Sequence, residues 1–420
     1  MNGVDLREMR RTVGAKTTIA LVLLIGTGLG VGDAEARPLH PHIEMAIDDS
    51  GRVVAAIGGG SNHRVGVVRL TSSGALDTTF AGDGTIGPRP SKRAPALALA
   101  PRGKIVVAQE PENGRPIMRR FLSDGRLDRT FGHRGVVSIP IVPKNRLLAQ
   151  PDGHIIVLVQ QTCPSWSCGY KFSYLEILRY GNGGGLYSKH TVYNENWEFN
   201  AAGMDARGYF VVVGSDETLG YTTFARFRPR GGIDPTLGGA DGLRVDEPRY
   251  GEAEKPGEEV VFRASVLAIQ PDGGFVLAIN SGGTAISRRN RDGSLDAGFG
   301  NGGEAVCAPG AVQEGPIALF DALGASPDGS IFAAGGRGSC GLVRYLPDGE
   351  PDAAFGVGGR VNLEALGLPR PLALALMPDG KIILAGWDTM TRSVKFTRFF
   401  ADGHIDPSFG SGGVFALPGF

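Results

Sequence analysis

The stretch "FFADGHIDPSFGSGG" (399–413) has close copies at 121 ("FLSDGRLDRTFGHRG"), 289 ("RNRDGSLDAGFGNGG") and 345 ("YLPDGEPDAAFGVGG"). Further versions occupy 70–84 and 227–239, and a decayed one, "YGNGGGLYS", begins at 180. A chain that writes one turn repeatedly must also repeat the structural unit that carries it. A second recurring unit precedes each copy: apolar alternation, a P-D-G-like turn, then a β-branched run. It reads "LALAPRGKIVVA" from 97, "LLAQPDGHIIVL" from 147, "LAIQPDGGFVLA" from 267, "LGASPDGSIFAA" from 323 and "LALMPDGKIILA" from 374, with looser copies from 45 and 202.

Each of these units is two short strands about a tight turn whose D-G or x-G pair supplies positive φ. The turn unit that follows starts in a strand such as "VKFTRFF" and ends in one such as "GGVFAL", so a full repeat carries four strands. Seven repeats of about 55 residues with four strands each predict an all-β, seven-bladed β-propeller, since one small sheet cannot bury both faces but a ring of sheets can. An open solenoid or β-helix normally has shorter repeats with one strand per face. The expected repeats are 41–88, 89–140, 141–192, 193–246, 247–307, 308–363 and 364–420. Each blade is expected to be contiguous, with no strand exchanged at ring closure.

The first 36 residues stand apart from this pattern. Arg7, Arg10, Arg11 and Lys16 precede an apolar run over 17–31 and an A-x-A site at Ala34-Glu35-Ala36, the signature of a signal peptide. The paired Arg10-Arg11 also suits a twin-arginine leader. A secreted or periplasmic single-domain chain over 37–420 is therefore expected, with no transmembrane segment after cleavage. The 43 basic and 43 acidic residues fall to 39 of each once the leader's four of each are set aside. That neutrality argues against nucleic acid as a partner, because phosphate neutralisation needs a basic excess.

Phrases such as "RYLPDGEPDAAFGVGGRV" and "ALALMPDGKIILAGW" resemble the delta-60 repeat family of bacterial extracellular proteins, often assigned to the β-propellers. The resemblance spans nearly all of 41–420. The third repeat departs by losing its D-x-x-F-G tail, and the fourth has Leu237 where the family pattern has Phe. What the resemblance implies is a fold and not an activity.

Six aspartates, Asp77, Asp128, Asp234, Asp296, Asp352 and Asp406, recur just after the turn glycine. Calcium requires several oxygens converging on one ion, and each motif offers one or two, so these read as Asx-type structural turn caps that set the following Phe80, Phe131, Phe299, Phe355 or Phe409 between blades. The seven histidines show no zinc spacing, and nothing in the chain calls for a metal or cofactor. Four cysteines in an exported chain predict two disulfides, Cys163–Cys168 and Cys307–Cys340.

In a four-stranded blade the 1–2 and 3–4 turns share one face, which here receives both repetitive turns. The opposite face collects everything that varies, and variable loops on a rigid scaffold are where binding sites sit. Aromatics fall there at Trp166 and Tyr170 in "CPSWSCGYKF", at Trp197 between repeats 3 and 4, and at Trp387. They are the candidate ligand-binding residues, although isolated apolar side chains can equally cover blade edges. The expectation is a monomeric, non-enzymatic scaffold that binds a protein or carbohydrate partner. The alternative is a lyase- or glycosidase-like propeller enzyme at the central channel mouth, for which no equivalent set of acids, His or Tyr is legible across the blades.

Overall fold

A computed structural model describes residues 41–59, 64–91, 94–112, 114–140, 145–163, 172–193, 197–216, 222–238, 242–246, 263–281, 283–306, 320–335, 341–368 and 371–418. The expected leader lies outside them. Seven four-stranded antiparallel sheets span 41–90, 96–138, 145–193, 197–246, 263–306, 320–361 and 371–418, each built from strands consecutive in sequence. No helix occurs among the described residues. The first strands of neighbouring blades lie together around the centre, including those of blades 1 and 7 (Pro41–Ile47 and Pro371–Leu376), so the sheets close into a ring. The protein is a seven-bladed β-propeller.

Closure uses no exchanged strand: the last strand, Val414–Pro418, pairs with Ser393–Phe399 of its own blade. The seams are instead clasped by the turn unit. The residue after the motif Phe donates its backbone N–H to a turn carbonyl of the next blade: Ala81 to Asp124 at 2.8 Å, Gly132 to Gly183 at 2.7 Å, Gly356 to Asp402 at 2.7 Å. Gly410 donates to Ser73 at 2.7 Å and closes the ring. The turn glycine beside each acceptor must be glycine for two reasons. Gly349 has φ +88°, and a Cβ there would sit 2.3 Å from the Gly300 nitrogen that the turn receives.

An arginine on the third strand ties the unit together. Arg69, Arg120, Arg226, Arg288 and Arg398 each donate Nε–H to the motif carboxylate eight residues on, all at 2.8 Å. The other carboxylate oxygen accepts the N–H two residues beyond the Asp, at 3.0 Å from Thr79 and 3.0 Å from Ser408. Nη1 of Arg69, Arg226, Arg288 and Arg398 donates to a carbonyl of the adjacent blade, respectively Ser123, Arg291, Pro347 and Ser72. The guanidinium also lies over the motif ring, 4.5 Å from Phe80 and 4.4 Å from Phe131. A single buried Arg–Asp pair thus fixes the turn, seats the Phe and grips the next blade.

Burial of the Asp406 carboxyl would raise its pKa, but hydrogen bonds from Ser408 and the charges of Lys381 and Arg398 outweigh it and hold the group at about 2. Asp77, Asp128 and Asp234 are lowered in the same way. A depressed folded-state pKa gives stability that is present above the ordinary value of 3.8 and is lost as pH falls toward about 2. The denaturant midpoint should therefore be level above about pH 5 and drop steeply below about pH 4. A midpoint that stayed constant down to about pH 2.5 would refute this linkage.

The Phe plugs are fully buried between blades, and their volume is matched across each seam. Opposite Phe80, Phe131, Phe299, Phe355 and Phe409, the next blade opens its second strand with Ile105, Ile155, Ile331, Ile382 and Val53, in shared clusters. Blade 4 has the smaller Leu237, and blade 5 answers with Phe275. Blade 3 has no plug, and blade 4 answers with Phe210. Close packing requires this reciprocity, because a deficit on one side must be filled from the other.

Candidate functional site

The repetitive-turn face spends its polar groups on the seams. In the channel wall, the position just before the apolar unit is small in blades 2, 4, 5, 6 and 7 (Ala96, Ala201, Val266, Ala322, Ala373) but is Glu44 in blade 1 and Arg146 in blade 3. Ile43, Met45 and Ile47 face blade 7, so Glu44 projects from the other side of its strand, toward blade 2. Its carboxylate accepts the Leu97 N–H at 2.6 Å and the Arg146 Nη1–H at 3.0 Å, while His42 Nε2 lies 3.5 Å from the same acid. Glu44 is buried, so both contacts offset a desolvation cost that an unpaired charge could not bear. They link the inner strands of three successive blades.

The loop 387–394 of blade 7 is described in full and is preset. The Asp388 carboxylate is held far below its ordinary pKa by hydrogen bonds, first from Lys395 at 2.7 Å, then from the loop itself. It accepts the Met390 N–H at 2.8 Å and the Thr391 N–H at 3.2 Å, leaving the Met390 side chain 91% exposed. Trp387, at the start of this loop, is only 8% exposed and packs in the core shared by blades 1, 6 and 7.

Blade 3 is where the repeat departs furthest. With the numbering unbroken, Tyr187 stands where other blades have the motif Asp, and His190 where they have Phe. Arg179 keeps an aromatic partner, 5.1 Å from the Tyr187 centroid, and takes its charge partner from Asp152 at 2.6 Å. The seam to blade 4 is made by His190 Nε2, 3.1 Å from the Arg230 carbonyl that a backbone N–H would otherwise reach. The outer strand Leu186–Tyr193 is the longest fourth strand of the ring, and its Leu186, Tyr187 and Tyr193 are exposed. At its variable-face end Tyr193, 70% exposed, meets Tyr174 with ring centroids 5.6 Å apart.

Trp166, Tyr170, Cys168, Cys307 and Cys340 lie outside the described residues, as do the side chains of Cys163 and Trp197. The backbone of Trp197 opens the inner strand Trp197–Met204 of blade 4, and Cys163 ends the second strand of blade 3, Ile155–Cys163. The chain therefore brings Trp197 to the variable face directly after the exposed Tyr193. Sequence reasoning missed the third-strand arginines and the Glu44–Arg146 tie. The arginines were signalled by an R to D spacing of eight in six repeats, and Glu44 and Arg146 by charges in a slot otherwise held by Ala or Val.

Among the described residues no group of three or more His, Cys, Asp or Glu could hold a metal, and no helix is long and apolar enough to cross a membrane. Residues 51–80, 326–355 and 378–409 match a family described as a domain of unknown function (DUF5122), a beta-propeller. No curated protein matches the chain. Among solved structures, a protein from Lactobacillus plantarum aligns at 12% identity over 90% of this chain and 99% of its own, with TM-score 0.49. A quinonprotein alcohol dehydrogenase-like protein from Bacteroides thetaiotaomicron aligns at 13% identity over 90% and 84%, with TM-score 0.43. Similarity at this level does not bear on what this chain binds. The matched segments each run from one repetitive turn to the next, so the match falls on three of the propeller repeats.

Proposed function

We propose that the chain is a secreted, non-enzymatic propeller that binds a protein or glycan partner through its variable face, centred on blades 3 and 4. The observation that supports this is the exposed Tyr193, paired with Tyr174, at the variable-face end of the blade that has given up its motif Asp and Phe. Aromatic side chains offer large, rigid contact area at small entropic cost, and they suit both sugar faces and protein hot spots. Trp166, Tyr170 and Trp197 belong to segments that flank this pair in sequence. In the channel wall, by contrast, the Glu44 carboxylate is committed to Leu97 and Arg146, which suits a structural tie better than an acid or base.

Screening the purified protein on glycan and protein arrays, followed by Trp166→Ala, Trp197→Ala and Tyr193→Ala against each hit, tests the reading. Loss of about tenfold or more in affinity from at least one substitution, in folded protein, is expected. Hits whose affinity none of the three alters would overturn the site.

A further inference from the structure

Not every charge on the repetitive-turn face is spent on the seams, and the signs of those left over divide the ring. Among the described residues, the exposed turn charges without an ion-pair partner are acids on blade 1 (Asp49, Asp83) and blade 6 (Asp348, Glu350). On blade 2 (Arg102, Arg129, Arg134) and blade 4 (Arg228, Arg230) they are all bases.

The opposite signs occupy the same slots of the repeat. Asp83 and Arg134 each stand three residues after the motif Phe and just before a glycine, and Asp348 and Arg230 each precede the glycine of the 3–4 turn. Asp49 and Arg102 both sit at the tip of the 1–2 turn. Arg102 and Arg134 hold their places at φ +65° and +53°. Blades 5, 6 and 7 put Gly302, Gly358 and Gly412 in the slot of Arg134, and a left-handed backbone is costly to any residue with a Cβ. Blade 2 thus keeps a charge where the repeat favours glycine.

A ring of seven has a two-fold direction in its plane that runs over blade 5 and out through the seam between blades 1 and 2. Turning a second copy about it lays one turn face on the other, with blade 1 on blade 2, blade 6 on blade 4 and blade 7 on blade 3, each at equal radius. The acids of blades 1 and 6 then meet the arginines of blades 2 and 4, twice over. Blade 5 meets itself and carries both signs, in Arg291 and Asp292. We infer that the chain forms a homodimer, turn face to turn face, about this axis. A partner of a single sign is repelled by half of the face, whereas a second copy complements all of it. The two variable faces point away from each other in such a dimer, which makes it bivalent for whatever that face binds. The dimer stands or fails independently of the aromatic sector of blades 3 and 4.

The test is sedimentation velocity of the purified protein. In about 50 mM salt wild type should pass from monomer to dimer as its concentration rises, and Kd should weaken about tenfold or more in about 500 mM salt. Two charge-reversed proteins test the geometry. Arg102→Asp with Arg134→Asp makes blade 2 acidic like blade 1, and Asp49→Arg with Asp83→Arg makes blade 1 basic like blade 2. All four positions are exposed, and Asp is the residue of blades 3, 5, 6 and 7 in the slot of Arg102, so cooperative melting should persist. Each protein alone should dimerise about tenfold or more weakly than wild type, because like charges now face each other. Mixed in equal amounts they should associate with near wild-type affinity, since each restores what the other lost. The inference is overturned if wild type stays monomeric up to about 100 µM in low salt, or if salt leaves its Kd unchanged. It is equally overturned if the reversed proteins dimerise like wild type, or fail to associate on mixing.

Discussion

Asp406→Ala is expected to cost about 3–5 kcal/mol of folding stability, the amount typical of removing one partner from a buried ion pair. The carboxylate is 1% exposed and receives Arg398 through Nε and Nη2 at 2.8 Å each, with Lys381 Nζ at 3.2 Å. Its removal leaves Arg398 buried, 4.9 Å from the centroid of Phe409, with its charge uncompensated. The same arginine grips the Ser72 carbonyl across the closing seam, 326 residues away in sequence, so the loss falls where blade 7 meets blade 1. Asp352→Ala is the internal control. Arg344 Nη1 stands 3.4 Å from Asp352, and Arg344 Nη2 serves Asp328 at 3.2 Å and Ser330 at 3.0 Å. That looser pair should cost only about 1–2 kcal/mol, mostly through the lost cap. Denaturant midpoints at unchanged m-value measure both. A cost for Asp406→Ala no larger than for Asp352→Ala would show that the closing clasp is not held by the ion pair.

The architecture was legible because each of its determinants is local. A P-D-G turn, a β-branched run and a D-x-x-F-G tail each specify their geometry within a dozen residues, and seven copies leave a ring as the economical way to bury the sheets. The Asp turn geometry is local in the same sense: the accepting carboxylate and the N–H that donates to it are two residues apart. What pairs the Asp with an arginine is a cross-strand contact, visible in sequence only as a spacing that recurs once the repeats are aligned. The tie between Glu44 and Arg146, 102 residues apart, follows from the ring placing the inner strands of blades 1 and 3 on either side of that of blade 2. No property of either residue alone announces it.

Leu237→Phe is expected to be destabilising in the wild-type chain and stabilising once Phe275 has been truncated. Leu237 occupies the slot that holds Phe in five other blades, so a repeat consensus would recommend the larger residue. The seam argues otherwise: Leu237 and Phe275 share a fully buried cluster, and Phe275 already meets Phe224 edge-on with centroids 5.8 Å apart. Overfilling such a core costs about 1–3 kcal/mol. Phe275→Ala alone should cost about 3–5 kcal/mol through lost burial and the cavity left behind. In the double variant the ring introduced at position 237 enters the vacated space, as Phe80 does opposite Ile105 in blade 2, and part of the loss returns. The two substitutions should therefore couple by about 1–3 kcal/mol, favourably, in a double-mutant cycle. Phe131→Ala supplies the comparison, because its seam has no oversized neighbour, only Ile155. Additive effects at positions 237 and 275 would mean that the two side chains do not share one volume, and that the reciprocity between plug and neighbour around the ring is coincidental.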